Sequence, residues 1–189
     1  MILTIHRRLL NEKLKALFKK IKPGIVLDAG GANSLYKKII PYTKYLVLEL
    51  HEEYNPDICC DVHDIKAKNN SFDTLIATEL LEHTEDPKKV VSEFKRVLKK
   101  GGNCIISVPF MFPIHEDKFM TDYWRFTESG LKELFKEFSK VDVFPIGSTS
   151  TTIMNVIFSS FQFLNRLSPI AYKIKFGKNP SGFVVLAKK

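Results

Sequence analysis

Gly24-Ile25-Val26-Leu27-Asp28-Ala29-Gly30-Gly31-Ala32-Asn33 is the stretch that decides the fold. Its apolar run ahead of Asp28 reads as a short buried strand. The paired glycines read as a turn where the backbone bends sharply and can come close to a ligand. A second apolar run, Tyr45-Leu46-Val47-Leu48, closes on an acid, Glu49. Strand, glycine turn, helix and strand-ending acid form the nucleoside-binding half of a doubly wound sheet, the acid accepting from ribose hydroxyls. The sequence therefore predicts a nucleoside-containing cofactor.

The glycine spacing narrows which one. A dinucleotide fingerprint, G-x-G-x-x-G, lets a helix N-terminus receive a pyrophosphate. Here the glycines are adjacent and Ser34 stands at the third position, with no Lys-Ser or Lys-Thr at phosphate-loop spacing. The turn suits a cofactor that has a ribose and no phosphate to cradle. A tight strand-to-helix connection without a ligand would use the same residues.

Outward from this stretch, apolar positions at helical spacing predict a helix over residues 4–20, ended by Pro23-Gly24. Strands are expected at 25–28, 45–49, 73–78, 103–109, 140–145 and 182–187, with helices at about 34–40, 87–100 and 128–138. Gly101-Gly102 reads as the stop of the 87–100 helix. Alternating strand and helix implies a mostly parallel sheet covered on both faces, with ligands collecting at the carboxyl ends of the strands. Acids and histidines concentrate after those strand ends, in Asp28, Glu49, Asp61, Glu79, Glu82, His83 and His115.

Composition sets the outer bounds. The 189 residues fit one domain, 1–189, with 1–22 as an N-terminal helix, and the 44% hydrophobic content is ordinary for a globular chain. No apolar run reaches the ~18 residues of a membrane span, and the N-terminus lacks the order of a secretory signal, so a cytoplasmic protein is expected. Three cysteines, Cys59, Cys60 and Cys104, make neither a disulfide framework nor a zinc cluster. The net charge of +8 is spread through helical patterns. It lacks the aromatic–basic patch expected for nucleic acid, which is not the expected partner.

The chain resembles class I S-adenosylmethionine-dependent methyltransferases of the small-molecule type. The likeness rests on Val26-Leu27-Asp28-Ala29-Gly30-Gly31, Glu49, Cys60-Asp61-Val62-His63-Asp64, Asn70-Ser71-Phe72-Asp73, Leu81-Glu82-His83-Thr84-Glu85-Asp86-Pro87 and Leu98-Lys99-Lys100-Gly101-Gly102, in that order across about 22–145. It implies a Rossmann-like α/β fold whose seven-stranded sheet has an antiparallel last strand. It departs from the family at Ala32, where a second glycine usually stands. It further implies that Asp28 and the Gly30-Gly31 backbone hold the methionine end of S-adenosylmethionine, that Glu49 takes the ribose, and that Asp61 and the Val62 amide take the adenine, with Thr78 beside them. Asp61 and Asp64 serve equally as turn-forming acids.

Beyond the cofactor set, Glu79, Glu82 and His83 would share one face if 79–83 began a helical turn. Two carboxylates and an imidazole can then hold a divalent cation such as magnesium, as in related metal-using O-methyltransferases; plain packing of the Glu-His pair fits the same residues. His115, after a strand end, is the first candidate for general base and His83 the second. Tyr123, Trp124 and Arg125 are candidates to line the acceptor pocket, Arg125 against an anion. Residues 149–176, with Ile153, Ile157, Phe161, Phe163, Leu167 and Ile170, are apolar nearly all round. They fit a lid over the acceptor, a dimer contact, a membrane-surface helix or a plain cover for the sheet. The expected activity is methyl transfer to a small-molecule acceptor, through a hydroxyl. A non-catalytic cofactor-binding partner or regulatory subunit is the rival, and an RNA methyltransferase the third reading.

Overall fold

The computed structural model describes residues 4–32, 34–116, 120–161, 164, 167–174 and 176–189. Asn33 of the glycine turn and Phe163 of the apolar segment lie outside the described residues. Seven strands, β1 (Ile25–Ala29), β2 (Lys44–Glu49), β3 (Ile58–Cys59), β4 (Phe72–Thr78), β5 (Leu98–Pro109), β6 (Lys140–Ile146) and β7 (Gly182–Lys188), form one sheet in the order β3-β2-β1-β4-β5-β7-β6. The first five pair in parallel; β7 runs antiparallel to both β5 and β6. This is the Rossmann-like topology expected from the sequence.

Both faces are covered, which is why β1 and β4 are apolar on both sides. Helix α1 (Ile5–Phe18) buries Ile5, Leu9, Leu10, Leu14 and Phe18 against one face together with Val26, Ile76 and Val184. Helix α2 (Pro87–Val97) buries Val90, Val91, Phe94 and Val97 on the other face, joined by Leu131 of α3 (Glu128–Leu134). Each of these helices starts on a side-chain cap. Thr4 accepts from the Arg7 amide, Asp86 accepts from the Lys89 amide ahead of Pro87, and Thr127 accepts from Gly130.

Three elements differ from expectation. Residues 34–40 form consecutive turns, with Lys37 donating to Ser34 and Ile40 to Tyr36, and not a helix. Ser34 lies in the left-handed region at φ 45°, outside helical backbone, so the stretch has no helical first residue, and Pro41 closes it at the other end. Helix α2 stops at Val97, because Leu98 is extended and pairs with Phe72 in the sheet. Gly101-Gly102 therefore serves a strand irregularity and not a helix end: the register passes from Phe72↔Leu98 to Thr74↔Asn103, with Gly101 at φ 74° in the excess. Helix α3 likewise ends at Leu134.

Helix α4 (Thr149–Ser160) is inverted. Ser150, Thr151, Thr152 and Asn155 are buried, while Ile153 and Ile157 are exposed. The cause is what α4 covers. Asn155 Oδ1 accepts the His6 amide at 3.1 Å, an N–H left orphaned at the start of α1. Ser150 and Thr152 donate to the carbonyls of Ile174 and Asn179. The short helix α5 (Ser168–Ala171) follows. Among the described residues no helix is long and apolar enough to cross a membrane.

Candidate functional site

Parallel pairing of β3, β2, β1 and β4 brings their carboxyl ends to one edge. Along it stand, in spatial order, Asp61, Glu49, the Asp28–Gly31 turn and Thr78. At the turn, Gly30 adopts φ 72° and its amide donates to Leu48 at 2.9 Å. A side chain on Gly31 would place its Cβ 2.3 Å from Asp28 Cγ, so glycine is required there. Glu49 Oε1 accepts the Ala32 amide at 2.8 Å, tying the turn to the end of β2. A cleft of about 100 Å³ opens between Arg7, Asp28, Gly30, Tyr36 and Thr78.

Asp28 is buried and accepts the Tyr45 hydroxyl hydrogen bond. Burial pushes its carboxyl up from 3.8 to about 6; the Tyr45 bond opposes this and the Glu49 charge adds to it. In the cofactor-free protein the folded state thus holds a proton that the unfolded chain releases. The stability from this group is full below about pH 4 and is lost as pH rises through about 6. The loss is about 3 kcal/mol at ~1.36 kcal/mol per pH unit. Asp28→Asn should therefore match the parent near pH 4 and melt roughly 6–12 °C higher at pH 8. Thermal melts at both pH values check this; an equal offset at both would contradict it.

Asp61 is exposed, and its Oδ1 accepts the His63 amide at 2.8 Å with the His63 ring nitrogen 2.6 Å away. That is a turn-closing acid. Val62 packs half-buried against the core.

Glu79 and Glu82 part company. Glu79 takes φ 54° at the end of β4, and only the following Leu81–His83 forms a 3-10 turn. Glu79 consequently faces α1: His6 Nε2 lies 3.2 Å from Oε2, and the Ser107 hydroxyl donates to Oε1 at 2.8 Å. Burial alone would raise the Glu79 carboxyl, but His6, Arg7 and Ser107 hold it below the usual range. His6 is itself buried, with Nδ1 2.8 Å from Ser181 Oγ.

Glu82 turns to the other side, where the structure brings His83 and His115 to it. His83 Nε2 and His115 Nε2 stand 3.8 Å and 3.9 Å from Glu82 Oε1, and the rings meet edge-on at 5.0 Å. Burial, with the Glu79 charge next, pushes the Glu82 carboxyl well above the ordinary value. Asp122 Oδ2 accepts the His115 amide at 3.1 Å and lies 3.2 Å from its Nδ1. The Arg125 guanidinium grips Asp122 and holds its carboxyl down at about 2. Arg125 is thus engaged by Asp122 and by the Pro113 carbonyl. The Tyr123 and Trp124 amides both donate to the Glu82 carbonyl, and the indole N–H donates to Thr84 at 2.8 Å. Phe112 lies between the two clusters, its ring 5.0 Å from His6 and 5.5 Å from His115.

His6, Arg7, Tyr36, Tyr45 and Asp122 complete this neighbourhood, and sequence reasoning passes over them. Their local signals are helix face, turn and strand; only the Asp122-x-x-Arg125 spacing hints at an ion pair. A larger groove, about 410 Å³, runs between α2 and α3 past Lys88, Val91, Leu134 and Phe138. None of the sequence-predicted site residues lines it.

Residues 40–106 match a family model described as a methyltransferase domain. The match begins beyond the glycine turn and ends before His115. An uncharacterized protein of Methanocaldococcus jannaschii is 27% identical over 133 residues, 66% of this chain and 58% of the relative, so the chain spans little more than half that relative's length. In structure, the chain is similar to an S-adenosylmethionine-dependent methyltransferase of Thermotoga maritima (TM-score 0.66, 15% identity, 98% of this chain and 91% of that one). It is also similar to phosphoethanolamine N-methyltransferase 2 of Haemonchus contortus (TM-score 0.59, 14% identity, 93% and 52%). At these identities the structural likeness is one of fold. Domain model and fold agree with the resemblance to class I S-adenosylmethionine-dependent methyltransferases read from the sequence.

Proposed function

We propose that the protein transfers the methyl group of S-adenosylmethionine to a hydroxyl of a small-molecule acceptor. The observation that carries this reading is the row of acceptors Asp28, Glu49 and Asp61 on three adjacent strand ends. The cofactor presents donors in matching order: an ammonium, a ribose diol and an adenine amino group. Its sulfonium supplies an activated methyl, so most of the catalysis is proximity and alignment.

Within this reading Asp28 and the Gly30-Gly31 backbone meet the methionine end, Glu49 the ribose, and Asp61 with the Val62 amide the adenine, with Thr78 flooring the cleft. The cleft, about 100 Å³, is smaller than the few hundred Å³ of an ordinary small-molecule site. A nucleoside must therefore continue along the open edge over Glu49. On the acceptor side the hydroxyl oxygen forms the new bond to carbon as the sulfur–carbon bond breaks toward sulfur. The hydroxyl proton passes to His115, with His83 beside it. Arg125 positions Asp122, and Asp122 orients His115; Tyr123 and Trp124 border the acceptor.

Calorimetric titration with S-adenosylmethionine, followed by a panel of hydroxylated acceptors scored by release of the demethylated cofactor, tests the reading. Saturable binding and turnover of a hydroxyl compound are expected. Binding with no turnover of any acceptor class would favour the cofactor-binding subunit, and no binding would overturn the enzyme reading. Trp124 is the one tryptophan of the chain and is 44% exposed beside the acceptor cluster. Its fluorescence should change on adding a true acceptor and be silent to it in Trp124→Phe; an unchanged signal in the parent would remove Trp124 from the acceptor pocket.

A further inference from the structure

We propose that Glu82, His83 and His115 form a binding site for one divalent transition-metal ion, through one carboxylate and two Nε2 atoms. The Glu82 side chain is fully buried, yet neither of its oxygens has a hydrogen-bond partner among the described residues. A buried carboxylate without donors is costly, so a cation or a proton must satisfy it. The two imidazole nitrogens nearest it are at 3.8 Å and 3.9 Å, beyond hydrogen-bond reach. One ligand atom from each of the three residues lies within 4.8 Å of the others.

Both rings are oriented from behind. His83 Nδ1 donates to the Thr121 carbonyl at 2.9 Å. His115 Nδ1 faces Asp122 Oδ2 at 3.2 Å and the Pro113 carbonyl at 3.3 Å. This hydrogen-bond network places each ring's proton on Nδ1 and leaves both Nε2 atoms, the ring nitrogens nearest Glu82, free to act as ligands. Metal-ligating histidines are held the same way, the second nitrogen donating to a carbonyl or carboxylate. A proton on Glu82 would reach neither imidazole at these distances and would leave both lone pairs unanswered. A single ion answers all three acceptors.

The donor set selects the ion. Magnesium and calcium prefer all-oxygen shells, whereas two imidazoles with one carboxylate suit zinc, cobalt, iron or manganese. Ligands bonded at about 2.0–2.2 Å to one ion stand roughly 3–3.5 Å apart, so each imidazole must approach Glu82 by about half an ångström, and the widest pair of the set, within 4.8 Å, by up to about 1.3–1.8 Å. Glu79, the other acid of the motif, is held away by His6 and Ser107 and takes no part. The His115 side chain is 36% exposed, which leaves the ion an open position on that side. His115 can take the hydroxyl proton only while the site is free of metal; with the ion bound, His115 is a ligand and the acidified proton of a bound acceptor hydroxyl would pass to solvent on the open side.

The test uses tag-free protein stripped with a chelator and titrated with cobalt(II), read by calorimetry and by visible absorption, with zinc competition. One equivalent is expected to bind and to give a low-symmetry cobalt spectrum. Glu82→Gln, which keeps the shape and removes the charge, and His115→Ala should each weaken binding at least about tenfold. Asp122→Asn should weaken it roughly 10–100-fold through the orientation of His115. Circular dichroism establishes that each variant is folded. Absence of uptake by the parent, or uptake that survives both Glu82→Gln and His115→Ala, overturns the site. The titration needs no cofactor. Cobalt uptake without S-adenosylmethionine binding would uphold the metal site and sink the methyl-transfer reading, and the converse result would do the reverse.

Discussion

His115→Ala is expected to lower methyl transfer by roughly 10²–10⁴-fold while leaving the affinity for S-adenosylmethionine unchanged. The separation follows from position. His115 sits after β5 in the Glu82 cluster, on the far side of Phe112 from His6 and Glu79, and does not line the cleft at the glycine turn. Its imidazole is already oriented: Asp122 takes the backbone amide at 3.1 Å and lies 3.2 Å from Nδ1, and Arg125 fixes Asp122. Single-turnover rates with saturating cofactor, beside a binding constant measured separately, read the two quantities. Asp122→Asn should show a smaller loss that is not additive with His115→Ala, because both act through one ring. Equal loss of rate and of cofactor affinity would place His115 in the cofactor site instead.

Glu49→Ala carries the second large effect, on binding. Each charge-assisted hydrogen bond to a carboxylate is worth about 1.5–3 kcal/mol, so losing the acceptor for a ribose diol should weaken S-adenosylmethionine roughly 10²-fold. A second loss accompanies it. Glu49 Oε1 also holds the Ala32 amide at 2.8 Å, so its removal frees the turn that approaches the cofactor. Glu49→Gln keeps an acceptor for Ala32 and should fall between the two. Titration calorimetry on all three proteins checks the order; an affinity within about twofold of the parent in Glu49→Ala would exclude the ribose role.

What the sequence by itself determined lies in short-range signals. The run Ile25 to Gly31, the acid closing β2, the helix beginning at residue 87 and the strand-helix rhythm each depend on residues a few positions apart. They dictated the parallel sheet and the gathering of acids at the carboxyl ends of its strands. The turns at 34–40 show where that logic stops: the apolar spacing of Tyr36 and Ile40 is real, but Ser34 takes left-handed backbone and the segment runs as turns.

Only the tertiary structure decided which acids and histidines meet. Glu79 and Glu82 are three positions apart, yet the left-handed backbone at Glu79 sends them to opposite clusters, one to His6 and Ser107, the other to His83 and His115. Apart from His83, the neighbour of Glu82, those partners lie far away in sequence, and no local pattern encodes their approach. The inverted face of α4 has the same origin. A helix is read as apolar-side-in unless its neighbour offers unsatisfied polar groups, and the start of α1 does, at the His6 amide that Asn155 receives.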